Sequence, residues 1–187
     1  MKFITTSLPG LMILKPRVFS DSRGFFMETY SRAVFMAQSL DCEFVQDNHA
    51  RSEEAGVLRG FHFQLPPFAQ AKLVRVVRGT VLDVVVDLRR GSPSFGRWYS
   101  VELSAENKLQ LFVPRGFAHA YLTLTREAEF LYKVDNPYAP EHDAGLIWND
   151  PDLAVDWPVT RPLLSEKDSR LPGWKGFQSP FDYAPNE

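Results

Sequence analysis

Four side chains in this sequence combine reactive chemistry with an unusual setting. His62, Lys72, His119 and Tyr132 each stand among apolar, strand-forming neighbours. The plainest case is Leu58-Arg59-Gly60-Phe61-His62-Phe63-Gln64, a strand-like run with a histidine inside it. A base, a cation and a phenol turned toward one interior are the equipment of proton transfer. Each also has a plainer reading. A strand histidine is more often structural than catalytic, a core tyrosine can bond its hydroxyl to backbone, and a lysine can snorkel from a strand edge. The plain readings weaken jointly, because burying all four without use would accumulate desolvation costs.

The elements that must hold these groups read as mostly β. Residues 2–30 form short extended pieces broken at Pro9-Gly10, Lys15-Pro16 and Ser22-Arg23-Gly24. One helix is expected over 31–40, with Ser31 as its cap and Val34, Phe35 and Leu40 as its apolar stripe. Strands are then expected at 73–77, 81–88, 98–103, 109–113, 117–124 and 129–134. Only Gly79-Thr80 separates the first two, as in a hairpin or a tight crossing. Short strands at regular spacing indicate a sandwich or barrel. Residues 136–172, rich in Pro, Asp and Trp, should wrap the surface or cover one mouth. With no repeat and no linker, 1–187 reads as one domain, its core over about 2–174.

Strand alternation sorts the polar residues. Phe117, His119, Tyr121 and Thr123 share a face, as do Phe130, Tyr132 and Val134. Gln46 goes with Asn48, and Phe26 with Glu28. His62 falls with Leu58, Gly60 and Gln64. Arg59 falls opposite, unless Gly60 permits a bulge.

Composition excludes several classes. At 187 residues with 44% apolar content, the chain can bury a proper core. Fifteen Phe and fourteen Pro favour strands and turns over long helices. The net charge of −2 supplies no basic field for nucleic acid. No apolar run approaches the roughly 20 residues of a membrane helix. Cys42 is alone, so neither a disulfide framework nor a thiolate metal site is expected. The N-terminus lacks an apolar signal core, which makes a cytoplasmic protein the default.

Pro114-Arg115-Gly116-Phe117-Ala118-His119 matches the second half-motif of the cupin barrels. A metal-binding cupin also needs a His-x-His pair, and here His62 is followed at that spacing by Gln64. The signal supports the fold and argues against a catalytic metal.

A more specific resemblance runs through the chain from about Lys2 to Trp174. Its pieces are Asp21-Ser22-Arg23-Gly24-Phe25-Phe26-Met27-Glu28, Phe44-Val45-Gln46-Asp47-Asn48-His49 and Val57-Leu58-Arg59-Gly60-Phe61-His62-Phe63-Gln64. Gln70-Ala71-Lys72-Leu73-Val74-Arg75, the cupin half-motif and Glu129-Phe130-Leu131-Tyr132-Lys133 follow. Trp148-Asn149-Asp150-Pro151 and Leu164-Ser165-Glu166-Lys167-Asp168 complete the order. In these motifs the chain resembles the dTDP-4-dehydrorhamnose 3,5-epimerase family. The resemblance implies an all-β, cupin-like jelly-roll barrel with a short N-terminal helix and a C-terminal covering segment.

It also implies a substrate, a dTDP-4-keto-6-deoxyhexose, and a homodimer to which N-terminal residues contribute across the interface. The C4 ketone acidifies the hydrogens on C3 and C5, so no cofactor is required. The enzyme must still stabilise the enolate and reprotonate the opposite face. By resemblance His62 is the base, Asp168 its partner, Tyr132 the acid on the opposing face and Lys72 the cation at the C4 oxygen. Lys72 is further expected to lower the pKa of Tyr132. Arg23 and Arg59 match diphosphate contacts, where guanidinium forms paired charge-assisted bonds. Phe26, Glu28, Gln46, Asp47, Asn48, His119 and Lys167 match other substrate contacts, and Tyr138 an aromatic platform for the base. Where the family can carry Glu, this chain has Asp143, whose arm is shorter.

Two rivals share these motifs in part. A single-centre epimerase, inverting C3 or C5 only, needs the same His–Asp base. A non-enzymatic sugar-nucleotide-binding cupin would have no use for an opposed acid and base.

Overall fold

Short β-branched and aromatic runs, broken every few residues by Pro or Gly, favour strands over helices. The computed structural model describes residues 1–184 and resolves these runs into strands and short helical turns. The strands are β1 (Lys2–Thr5), β2 (Met12–Lys15), β3 (Val18–Asp21), β4 (Gly24–Met27) and β5 (Gln46–Ser52). They continue with β6 (Leu58–Gln64), β7 (Lys72–Arg78), β8 (Thr80–Asp87) and β9 (Trp98–Ser104). The last are β10 (Gln110–Val113), β11 (Phe117–Thr123), β12 (Ala128–Val134) and β13 (Asp143–Gly145). Residues 185–187 of the one-domain expectation lie outside the described residues.

Two antiparallel sheets face each other in the expected all-β, cupin-like jelly roll. One has six strands in the order β1-β2-β10-β7-β12-β5, the other five in the order β13-β6-β11-β8-β9. Between them lie Val74, Val76, Val81, Val85, Leu103, Leu111, Phe117 and Phe130. Alternation therefore turns Lys72, Asp83, His119 and Tyr132 toward that interior, since they share faces with these core residues.

The expected 73–77 and 81–88 pair is a tight crossing and not a hairpin. Gly79 alone links β7 in one sheet to β8 in the other. The expected helix shrinks to α1 (Arg32–Met36), and Ser31 makes no side-chain cap bond. Five residues cannot sustain a helix by themselves. What holds α1 is Phe35, fully buried on the outer face of the six-stranded sheet with Phe3, Tyr30, Phe44 and Phe112 around it.

The segment after β13 covers the outer face of the five-stranded sheet. Trp157, Trp174, Phe177 and Phe181 pack there on Phe61, Phe63, Val84 and Val86. Both faces of β8 are thereby buried, which explains its nearly continuous apolar sequence. The same segment then brings a 3-10 turn, Asp168–Arg170, beside β6.

Candidate active site

A cavity of about 490 Å³ opens between the sheets. Its lining includes Arg59, His62, Lys72, His119, Tyr132, Lys167 and Asp168, drawn from five separate segments of the sequence.

Strand β6 carries Arg59 and His62. His62 and His119 are direct partners across the β6–β11 pair, and so are Arg59 and Tyr121. Three residue steps on β6 thus answer two on β11, which is a bulge at Gly60-Phe61. The bulge turns Arg59 to the cavity with His62, correcting its expectation on the opposite face. Gly60 is indispensable to it. Its φ is +119°, and a Cβ would lie 2.6 Å from both the Ala120 Cβ and the His119 carbonyl oxygen.

His62 Nε2 lies 2.6 Å from Asp168 Oδ1. Asp168 is almost wholly buried, whereas the His62 ring keeps about a third of its surface open, 31%. Burial pushes the Asp168 carboxyl up, but bonds from His62, Ser165 and the Gly60 backbone outweigh it and hold the pKa low. A carboxylate only accepts, so in its neutral form His62 would carry its proton on Nε2 and present the Nδ1 lone pair.

Lys72 and Tyr132 come from the opposite sheet. Burial pulls the Lys72 ammonium down to about 8, against the opposing pull of Asp83 and Asp143. Burial also pushes the Tyr132 phenol up, and Arg59 is the cation that pulls it back. The expected lowering by Lys72 is therefore absent, because desolvation dominates and Arg59 is the effective cation. A phenol held above its ordinary value stays protonated near neutrality, as a proton donor requires.

The remaining expectations divide by location. Gln46 and Asn48 share the inward face of β5 and are bonded to each other at 2.9 Å. Gln46 Oε1 also accepts the Tyr138 amide. At the rim, Tyr138 and Lys167 both donate to Asp143 Oδ2. Asp143 is thus occupied by protein partners, in keeping with its shorter arm.

Four expected contacts lie elsewhere in this chain. Asp47 points to the outer face of its sheet and pairs with Lys133 at 2.7 Å, because strand parity opposes it to Gln46 and Asn48. Arg23, Phe26 and Glu28 lie on or beside the exposed β3–β4 hairpin, which pairs with neither large sheet. Arg23 is bound instead to Asp21.

Two site residues escaped the sequence reading. Asp83 is fully buried and bonded to His119. Ser165 lines the cavity, and its hydroxyl accepts the Asp168 amide. Asp83 had a signal, an acid at inward parity within Thr80–Asp87; Ser165 had none. Among the described residues no group of three His, Cys, Asp or Glu side chains is gathered for a metal. No helix there is long and apolar enough to cross a membrane.

Comparison with known proteins agrees with this fold. The profile of the dTDP-4-dehydrorhamnose 3,5-epimerase family matches residues 5–176. The Shigella flexneri dTDP-4-dehydrorhamnose 3,5-epimerase is 53% identical over 169 residues, covering 90% of this chain and 93% of that one. The crystal structure of the Bacillus anthracis dTDP-4-dehydrorhamnose 3,5-epimerase, with TDP and PPi bound, superposes with a TM-score of 0.90 at 49% identity. That match covers 92% of this chain and 98% of the other. The Legionella pneumophila dTDP-6-deoxy-D-glucose-3,5-epimerase, in complex with dTDP-4-keto-L-rhamnose, gives a TM-score of 0.93 at 40% identity, covering 98% of both chains. With the motifs, the barrel and nearly full-length similarity in agreement, this chain belongs to the dTDP-4-dehydrorhamnose 3,5-epimerase family and is an isomerase of that kind.

Proposed function

We propose that this protein converts dTDP-4-dehydro-6-deoxy-D-glucose to dTDP-4-dehydro-L-rhamnose by inverting C3 and C5 within one domain, in the cytoplasm. The observation that carries the residue roles is the opposition of His62, on one sheet and backed by Asp168, to Tyr132 and Lys72 on the other, across a shared cavity. His62 Nδ1 takes the proton from carbon, and the electron pair of that C–H bond becomes the enolate at C4. Asp168 stabilises the imidazolium, and the Lys72 ammonium meets the negative oxygen. Tyr132 then returns a proton to the opposite face and is reprotonated from solvent, while His62 releases its own proton.

Arg59 and Lys167 supply cations for the diphosphate, and the exposed Tyr138 ring a platform for the base. His119, Gln46 and Asn48 offer polar contacts, with Asp143 holding Lys167 and Tyr138 at the rim. A homodimer accounts for the displaced residues. The β3–β4 hairpin exposes Phe19, Phe25 and Phe26, and beside them the exposed Glu28 and Arg23, the latter exchanging Asp21 for phosphate, would reach a second copy's cavity. Asp47 faces outward on the six-stranded sheet, where it too would meet a partner.

Proton NMR in D₂O with the 4-keto substrate tests the reaction. Deuterium should enter at both C3 and C5, and a 4-keto reductase with NADPH should then yield the L-rhamnose product. Exchange at one carbon would make this a single-centre epimerase, and exchange at neither a binding protein. Mixing Arg23→Ala with His62→Ala subunits tests the shared site. Heterodimers should recover activity absent from both parents; no recovery would refute contribution across the interface.

A further inference from the structure

One interior carboxylate has no part in the chemistry assigned above. Asp83 sits on the inward face of β8 between Val81 and Val85, wholly shielded from solvent. Its hydrogen-bond partner is His119, whose Nε2 lies 3.0 and 2.9 Å from the two carboxylate oxygens. Its charge also acts on Lys72, without a direct ion pair. A lone buried pair of this kind is often no more stable than an apolar replacement of similar shape. Stability is therefore a poor account of an acid in the middle of this strand.

We propose that Asp83 is a positioning residue of the reaction: it holds His119 as the Nε2–H tautomer and supplies the countercharge behind Lys72. The carboxylate can only accept, so the His119 proton stays on Nε2 and Nδ1 keeps its lone pair. His119 consequently meets a sugar hydroxyl as a neutral acceptor. The same negative charge favours the ammonium form of Lys72, which burial disfavours. Asp143, from β13, is the other carboxylate that acts on Lys72. His62, His119, Tyr121 and Tyr132 line the same cavity, with Arg59 and Lys167 as cations and Asp168 as a further carboxylate. Asp83 thus links two strands of the site, β7 and β11, through one charge.

The inference rests on Lys72 as the group that faces the C4 oxygen. Asp83→Asn keeps the shape and removes the charge. Its exchange rate at C3 and C5, at pH 7.5, should fall about 10-fold or more, and its alkaline limb should move about one pH unit lower. A lowered melting temperature with an unmoved alkaline limb would reduce Asp83 to a structural role and overturn the proposal. If the variant does not fold, long-range ¹⁵N–¹H NMR of the wild-type protein decides. His119 should show the neutral Nε2–H pattern at pH 7.5; an Nδ1–H tautomer or an imidazolium would overturn it. Absence of exchange at both carbons in the wild type would defeat the epimerase reading instead, and the tautomer spectrum would still report on Asp83.

Discussion

His62 and His119 stand directly opposite each other on the β6–β11 ladder, and each commits its Nε2 to a carboxylate. The two acids arrive by different routes. Asp83 comes from the adjacent strand β8, whereas Asp168 comes from a 3-10 turn more than a hundred residues beyond His62. Exposure separates the two histidines. His62 keeps an open face, while His119 is 7% exposed and lies against Phe130. The first is open to solvent and the second enclosed.

His62→Ala should reduce deuterium uptake at C3 and C5 by about 10²–10⁴-fold. Affinity for dTDP, measured by calorimetry, should change little, because the diphosphate cations are untouched. Retained exchange would remove His62 as the base.

Asp168→Asn should slow turnover by about 10²-fold or more, since an amide can turn its NH₂ to the ring and select the wrong tautomer. The Asp168 carboxyl is held below its ordinary value, so its stabilisation is present above that ordinary value. It is lost as pH falls through the folded value. Chemical denaturation between about pH 5 and 2 should show a steeper decline for the wild type than for the variant.

The Lys72 ammonium titrates at about 8, so exchange should decline as pH rises through that value. Lys72→Met should lose about 10²–10³ in rate at pH 7 and lose that alkaline decline. A limb that persists in the variant would belong to another group.

Gly60→Ala should destabilise the protein by about 2–4 kcal/mol, because its Cβ meets the backbone of β11 at a positive φ. Thermal unfolding should report a midpoint lower by roughly 4–16 °C. An unchanged midpoint would show that the bulge can rearrange, and Arg59 would then lose its fixed place in the cavity.

The residue types for proton transfer and the faces of β11 and β12 were legible in the sequence. Period-two alternation is local, so His119 with Tyr121, and Phe130 with Tyr132, are sorted by the chain itself. The barrel was legible too, because short strands punctuated by Pro and Gly have few other ways to close a core. Asp168, Lys167 and Ser165 stand where no periodicity speaks for them. Asp168 was named only through resemblance, and its meeting with His62 depends on the C-terminal segment packing over the outer sheet face. Arg59 and Asp47 show the remaining limit. Alternation placed Arg59 outside until the Gly60 bulge reversed it, and the same alternation turns Asp47 outward to Lys133. A bulge is decided by how closely two backbones approach, here β6 against Ala120 and His119. That distance exists only once the strands have paired, so sequence determined the inventory and tertiary structure decided which residues share the cavity.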